Sequence, residues 1–250
     1  MLRHSSLFII KSHHLKQNTM RLDALLSQHG YCSRKDAKAW VKKGRITNSK
    51  GEPFAKADAK VEPQDILIDG CTIPFLHGLY IALNKPLGYT CSHKEQGQLV
   101  DELLPEQWQA RKGGVQSVGR LDKETSGLLL LTDDGQFVHR LTSPKKHVPK
   151  RYRFTTEAPI PQSAIAQFAS GEHLLTGENT PCLPAELHIE SETSGTLILH
   201  EGRYHQVRRM LASVGAPVIS LHREAIGTLE LDSLHLEAGE WAEIDPNIFP

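Results

Sequence analysis

The first part of the chain has the apolar spacing of two short helices followed by strands. In RLDALLSQH (21–29) the three leucines share one helical face, and the glycine after this segment is typical of a helix end. Ser33 is a suitable N-cap for a second helix, RKDAKAWVKKG, which Gly44 ends. RITN, the turn SKGEP and the alternating VEPQDILIDG then predict a strand, a turn and another strand.

A second set of strand patterns begins at Leu79, after a linker near Cys71–Gly78. LYIALNK alternates as a strand does, and Pro86 and Gly88 predict a turn after it. Further strands are predicted for VGRL, GLLLLT, KRYRFTT, AELHIE, GTLILH and LHLEA, and helices for QSAIAQFASG and HQVRRMLASVG. The connections are irregular and lack a βαβ rhythm, which favours an α+β fold with a mixed, mainly antiparallel sheet.

These patterns divide the chain into three parts. Residues 1–19 form an N-terminal extension that we expect to be disordered, 20–78 hold the helices, the hairpin and the linker, and 79–250 form the sheet domain. No segment approaches the roughly 18 apolar residues of a membrane helix, so we expect no membrane partner. No two of the four cysteines form a CxxC pair, which favours reduced thiols in a cytoplasmic protein without a metal site.

The net charge of zero hides an uneven distribution. Residues 20–60 carry ten Lys or Arg against four Asp or Glu, a net charge of +6, whereas the acidic residues outnumber the basic ones after residue 60. One basic island, HRLTSPKKHVPKRYRF (139–154), interrupts the acidic part. Any one such run is more often a solvated surface, but two separate basic tracts indicate a nucleic-acid partner more strongly than either tract alone.

The densest group of candidate functional residues is SVGRLDKETSGLLLLTDDG (117–135). Asp122 is predicted to lie in a loop between a short strand and a buried strand, where a carboxylate is well supported for chemistry. From spacing alone a turn or capping role for this Asp is the commoner outcome. The pair Asp133–Asp134 precedes a glycine, so a turn is favoured there over a metal site.

Several segments together resemble the family of small-subunit rRNA pseudouridine synthase A, over residues 20–245. RLDALLSQHGYCSRKDAKAWVKKGRITNSKG resembles the S4 RNA-binding module, and GRLDKETSGLLLLTDDG resembles the catalytic motif of pseudouridine synthases. The remaining similar segments are LNKPLGY, KRY, EGRYHQVRRMLASVG and LHREAIGTLELDSLHLEAGE. The resemblance implies an S4-like domain followed by a pseudouridine synthase domain, which isomerises one uridine of 16S rRNA without a cofactor or a metal.

The resemblance also implies roles for individual residues. Asp122 would be the catalytic carboxylate, Tyr152 the active-site tyrosine that stacks on the uracil, and Arg208 the basic partner that stabilises the charged form of the Asp. Lys85 would either orient the loop after its strand or touch RNA. The expected contacts to RNA are Arg34, Lys35, Lys38, Lys42, Arg45, Lys85, Arg120, Arg140, Lys150, Arg203, His205, Gln206 and Arg209.

Three alternatives remain open at this point. The chain could be a non-catalytic RNA-binding or ribosome-assembly protein, although the intact Asp, Tyr and Arg argue against it. It could be a glycosidase, which usually needs two carboxylates where only one is well placed. Within the leading class, the target could be a uridine of 23S rRNA. The oligomeric state is expected to be a monomer, because no exposed apolar stripe stands out.

Overall fold

A computed structural model describes residues 19–92, 95–143 and 146–249. The predicted N-terminal extension falls almost wholly on residues 1–18, which lie outside the described residues. The described residues form two compact units: one contains residues 19–28 and 32–76, and the other contains residues 29–31 and those from His77 onward. In the described part of the chain, no helix is both long and apolar enough to cross a membrane.

The first unit contains two short helices and two small antiparallel sheets. The leucines of its first helix are fully buried, as the predicted apolar face requires. The strand Ile46–Asn48 pairs with Ile66–Ile68, which pairs in turn with Cys71–Thr72. Its elements are β1 (Met20–Arg21), α1 (Leu22–Gln28), α2 (Ala37–Lys42), β2 (Ile46–Asn48), β3 (Lys60–Val61), β4 (Ile66–Ile68) and β5 (Cys71–Thr72).

The second unit is built on one large sheet with helices against it. Its elements are β6 (Tyr80–Lys85), β7 (Tyr89–Thr90), β8 (Gln98–Leu99), α3 (Glu106–Gln109), β9 (Gln116–Ser117), β10 (Ser126–Thr132), α4 (Gly135–Thr142), β11 (Lys150–Thr156), α5 (Ser163–Ala169), β12 (Glu186–Ser191), β13 (Ser194–Leu199), α6 (Gln206–Ser213), β14 (Val218–Ile226), β15 (Leu229–Glu230) and β16 (Trp241–Glu243).

The large sheet runs in the order β12-β13-β11-β14-β10-β6-β16, with β15 on β14 and β9 on β10. Its described pairings are antiparallel except for β10 with β14, which is parallel. The prediction of an α+β fold with a mixed, mainly antiparallel sheet is therefore confirmed. The central position of β10 explains its run of four leucines, because both faces of this strand are covered.

Two apolar clusters cover the large sheet. The first packs α5 and α6 on β11, β13 and β14; on α6 it uses Val207, Met210 and Leu211, which recur at helical spacing. The second packs α4 on β10, with Phe137 at its centre. The Asp134 side chain accepts a hydrogen bond from the Gln136 amide at 2.8 Å and so caps α4, in keeping with a structural role for the Asp pair.

Several predicted elements differ from the structure. α2 begins at Ala37, because Ser33 closes a preceding turn by accepting a hydrogen bond from the Asp36 amide at 3.2 Å. The strand predicted at VGRL is wrong: β9 ends at Ser117, and Gly119 has a φ of 73° that breaks the extended backbone. The strand predicted at LHLEA (234–238) is also wrong, since a 3-10 turn ends at its first residue and the next, His235, has a φ of 50° that breaks the extended backbone. The predicted linker contains β5, and β14, α4 and β16 were not predicted.

Candidate active site

Asp122 lies in the loop that leads into β10, and this loop is held through its backbone. Its own carbonyl accepts a hydrogen bond from the Thr125 amide at 3.0 Å, which closes a turn. The next three carbonyls each accept from a different segment: Lys123 from the Gly88 amide at 2.9 Å, Glu124 from Arg208 Nη2 at 2.8 Å and Thr125 from Lys85 Nζ at 2.8 Å. Four successive carbonyls are thus bonded, which fixes the backbone that presents Asp122.

Lys85 is a buried cation beneath this loop. Its ammonium donates to the carbonyls of Thr125 and Pro86, at 2.8 and 3.0 Å. Burial lowers the pKa of Lys85, while the nearby Cys91 and Asp122 groups oppose that shift. A fully buried side chain does not reach RNA at the surface, so the expected RNA contact of Lys85 is not supported by its position. Its hydrogen bonds agree with the other alternative, in which it orients the loop.

The carboxylate of Asp122 is one third exposed and has His205 beside it. His205 Nε2 lies 3.3 Å from Asp122 Oδ1. His205 immediately precedes α6 and has a φ of 48°, in the left-handed region that residues other than glycine seldom adopt. The ring of Tyr204 stacks on the imidazole with 4.0 Å between centroids and 14° between planes. The left-handed backbone thus occurs at the residue whose imidazole lies beside the carboxylate, with the Tyr204 ring stacked on that imidazole.

Arg208 supports the loop rather than the carboxylate. Its Nη2 donates to the Glu124 carbonyl at 2.8 Å and its Nη1 to the Val218 carbonyl at 3.2 Å. The expectation of a direct ion pair with Asp122 is not met, because the guanidinium spans from α6 to β14 and to the loop backbone. The resemblance of EGRYHQVRRMLASVG to the family motif associated Arg208 with the Asp but gave no means of foreseeing carbonyl acceptors, since every residue has one.

Tyr152 meets a buried arginine on the neighbouring strand. A register shift in the β11–β14 pairing lies between Arg151 and Tyr152, and it sets Tyr152 opposite Arg223. Arg223 Nη1 donates to the phenol oxygen at 3.4 Å, and its Nε donates to the Leu128 carbonyl at 2.7 Å. Both Asp122 and Arg223 influence the pKa of the Lys85 ammonium: Asp122 raises it and Arg223 lowers it.

Gly127 allows the strands behind the loop to approach each other. A Cβ at this position would lie 2.3 Å from the carbonyl oxygen of Arg223, and the residue has a φ of 104°. Any side chain here would push β10 away from β14 and move the loop that carries Asp122. Glycine is therefore required for steric reasons at this position of TSGLLLL, and the sequence alone does not show this requirement.

Known proteins are similar to this chain over most of its length. The model of the RNA pseudouridylate synthase family matches residues 79–213. Ribosomal small subunit pseudouridine synthase A of Escherichia coli K12 is 41% identical over 229 residues, which covers 89% of this chain and 95% of that protein. The uncharacterized RNA pseudouridine synthase YtzG of Bacillus subtilis is 38% identical over 233 residues, covering 90% and 95%. The chain belongs to the RNA pseudouridylate synthase family.

A solved structure agrees with this membership. The crystal structure of a pseudouridylate synthase matches the fold with a TM-score of 0.63 at 36% identity, and the match covers 91% of this chain and 97% of that one. The resemblance seen in the sequence motifs is therefore confirmed, and so is the enzyme class, an isomerase. The roles of individual residues are a separate question.

Three of the expected RNA contacts in the synthase instead hold the start of α6 together. Arg203 pairs with Glu201 at 3.1 Å and donates to the Thr180 carbonyl at 2.7 Å. Gln206 is buried and donates to Glu201 at 2.7 Å. Arg209 pairs with Glu178 at 2.9 Å. These contacts position the turn that carries His205. Among the expected RNA contacts of this segment, His205 is the residue that lies beside Asp122.

Two arginines of the basic island of the synthase are paired with glutamates on neighbouring strands. Arg151 pairs with Glu224 and Glu230 at 3.0 and 3.1 Å, and Arg153 pairs with Glu190 and Glu224. These groups surround a charged cavity of about 420 Å³. Arg153 and Tyr152 are adjacent in β11 and so point to opposite faces of the sheet, which places this cavity away from the tyrosine.

The two expected RNA contacts in the island, Arg140 and Lys150, also have partners within the protein. Arg140 Nη2 donates to the Pro246 carbonyl at 3.3 Å, and its guanidinium lies 5.3 Å from the centre of the Phe137 ring. Lys150 donates to the Val148 carbonyl at 2.9 Å. Burial, with a smaller contribution from Arg223, lowers the pKa of Lys150 to about 8. Four basic residues of the 139–154 island therefore already have partners within the protein: Arg140, Lys150, Arg151 and Arg153.

The expected contacts in the first unit fall into two groups. Arg34 pairs with Asp23 at 3.3 Å, and Arg45 pairs with Asp69 while stacking 3.7 Å from the centre of the Trp40 ring. Lys35, Lys38 and Lys42, in and just before α2, are exposed.

Arg120 is also exposed and lines a second cavity of about 430 Å³. Within the described ranges, no three His, Cys, Asp or Glu side chains form a group suited to a metal ion.

Proposed function

We propose that this synthase converts a uridine of small-subunit ribosomal RNA to pseudouridine in the cytoplasm, with Asp122 as the catalytic carboxylate. The observation that carries the proposal is the position of Asp122: a partly exposed carboxylate on a loop with four bonded carbonyls, in a member of this family. Relatives named ribosomal small subunit pseudouridine synthase A, at 38–42% identity, support the choice of RNA.

The reaction exchanges one bond to the sugar for another. The C1′–N1 bond of the uridine breaks, the uracil turns, and a C1′–C5 bond forms; C5 loses a proton and N1 gains one. Atoms and electrons balance within the substrate, so no redox partner is involved. Asp122 acts on the sugar of an extruded nucleotide, either as a nucleophile toward C1′ or as a base.

The other site residues take positioning and binding roles in this proposal. Tyr152 stacks on the extruded uracil, and its hydroxyl, oriented by Arg223, assists the removal of the C5 proton. Lys85 and Arg208 hold the loop through the carbonyls of Thr125 and Glu124. His205 orients the Asp122 carboxylate. These contacts fix the reacting group before RNA binds, which reduces the reorganisation needed during the reaction.

Replacement of the carboxylate tests the catalytic assignment. We expect Asp122→Asn to abolish pseudouridine formation in an unmodified transcript of small-subunit rRNA, while the affinity for the transcript stays within about threefold of the wild-type value. Asp232→Asn, which removes an exposed carboxylate of the same unit, is the matched control and should keep full activity. Unchanged pseudouridine formation by Asp122→Asn would show that Asp122 is not the catalytic carboxylate. No product from the wild type would favour a non-catalytic RNA-binding protein, and release of free uracil would favour a glycosidase.

Mapping pseudouridines in ribosomal RNA tests the substrate. We expect cells that lack the gene to lose one pseudouridine of the small subunit, and a plasmid copy of the wild-type gene, but not of Asp122→Asn, to restore it. Loss of a large-subunit site alone would transfer the proposal to 23S rRNA. We further propose that the synthase acts as a monomer, which light scattering of the purified protein would check.

A further inference from the structure

Tyr204 is an exposed aromatic residue next to the proposed catalytic carboxylate. It is 71% exposed, although it is large and partly apolar. One face of its ring lies on His205, whose Nε2 is 3.3 Å from Asp122 Oδ1. The other face of the phenol ring is therefore open to a ligand. The sequence motif drew attention to its neighbours His205 and Gln206 but assigned nothing to Tyr204.

The backbone of Tyr204 is held by Arg209. Its carbonyl accepts a hydrogen bond from Arg209 Nη1 at 3.2 Å, and Arg209 also donates to Glu178 at 2.9 Å and to the Thr176 carbonyl at 2.8 Å. The next residue, His205, has its φ in the left-handed region. A firmly held aromatic ring with one open face is the arrangement by which proteins stack unpaired bases of RNA.

We propose that the open face of Tyr204 binds, by stacking, a base of the nucleotide that flanks the isomerised uridine. The uridine itself brings its sugar to Asp122, at the edge of the imidazole. A base on the open face of Tyr204 is separated from that imidazole by the thickness of the phenol ring, so it belongs to a neighbouring nucleotide. This inference rests on the proposed function, because it takes Asp122 as the group that meets the sugar.

Variants at this position separate stacking from other roles. With an unmodified small-subunit rRNA transcript, we expect Tyr204→Ala to raise KM by about five- to a hundredfold with kcat within threefold, as expected for the loss of one base stack. Tyr204→Phe and Tyr204→Trp keep an aromatic face and should stay within twofold of the wild-type KM. Ile165→Ala, which removes an exposed apolar side chain of α5, is the control and should leave both constants unchanged.

A modified RNA identifies the bound base. A transcript with an abasic nucleotide on one side of the target uridine should raise the KM of the wild-type synthase by the same factor as Tyr204→Ala, and the variant should show no further loss on it. The abasic substitution on the other side should affect both proteins equally. This pattern assigns Tyr204 to one flanking nucleotide.

Other outcomes overturn the inference. A KM of Tyr204→Ala within twofold of wild type means that no base stacks there, and a fall confined to kcat means that Tyr204 acts on His205 instead. Equal losses for Tyr204→Phe and Tyr204→Ala point to the hydroxyl. If the wild-type synthase makes no pseudouridine at all, the proposed function fails. Equilibrium binding of the same transcript by wild type and Tyr204→Ala then still decides whether the ring stacks on RNA.

Discussion

Arg208 illustrates at the scale of one residue how a motif gives proximity but not contacts. Its place in EGRYHQVRRM was sufficient to associate it with Asp122, and the structure does bring it to the Asp122 loop. The actual acceptors, the carbonyls of Glu124 and Val218, belong to the backbone and leave no trace in residue type. Lys85 was counted among the RNA contacts for the same reason: the acceptors of its ammonium are backbone carbonyls, which the sequence does not reveal.

The two carbonyl contacts of Arg208 require a forked donor. Lysine places one ammonium where arginine places two nitrogens, so we expect Arg208→Lys to lose one of the two contacts and release the loop. kcat on a small-subunit rRNA transcript should fall about ten- to a hundredfold, with KM within threefold. Arg151→Lys, the same exchange on β11, should keep the wild-type kcat. A normal kcat for Arg208→Lys would show that the loop is held without this residue.

We expect Lys150 to make the stability of the protein depend on pH in the alkaline range. Burial lowers its pKa to about 8 from 10.5, so between these values the unfolded chain binds more protons at this site than the folded one. The free energy of unfolding of the wild type should therefore rise with pH over this window, relative to Lys150→Met. Urea unfolding of both proteins at pH 7 and pH 10 measures the difference. A difference independent of pH would mean that Lys150 is solvated in the folded state.

At the scale of elements, strong periodicity located the core well. GLLLLT, KRYRFTT, AELHIE and GTLILH coincide with β10, β11, β12 and β13, and HQVRRMLASVG contains α6. β14 was missed because LHREAIG places charged residues in a central strand, where Arg223 is buried through its contacts with Leu128 and Tyr152. Such a partner lies far away in the sequence, so alternation of polar and apolar residues cannot disclose it.

The basic elements differ in how many of their charges are available. α2 and the turn before it expose Lys35, Lys38 and Lys42, whereas the arginines of β11 are paired with glutamates. We expect the triple exchange of these lysines to Gln to weaken binding of the rRNA transcript. The slope of log K against log salt should fall by roughly 0.7–0.9 for each lysine that contacts a phosphate. Measurements of affinity at several salt concentrations provide both quantities.

A matched control removes positive charges from β11 instead of α2. Arg151→Gln combined with Arg153→Gln should leave the salt slope unchanged, since these guanidinium groups already have carboxylate partners. A lower slope for this pair, with no change for the lysines, would reverse the assignment and make the 139–154 island the RNA contact. The two tracts are both basic in composition. They differ because the arginines of β11 are paired with glutamates on neighbouring strands, whereas the lysines near α2 are exposed.

At the scale of the whole molecule, we expect the first unit to serve RNA binding and the second to serve the chemistry. The net charge of +6 over residues 20–60 belongs to the first unit, and the Asp122 loop with its supports belongs to the second. The lysines near α2 should then affect KM alone, and Arg208 should affect kcat alone.

This division has a quantitative consequence. The lysine triple exchange combined with Arg208→Lys should reduce kcat/KM by the product of the separate factors, within about 0.5 kcal/mol, because the two sets of residues share no partner in the described part of the chain. Kinetics of the two parents and the combined variant on one transcript measure the coupling. A combined loss much smaller than that product would mean that binding through the first unit already serves to place the loop, and that the two units act as one.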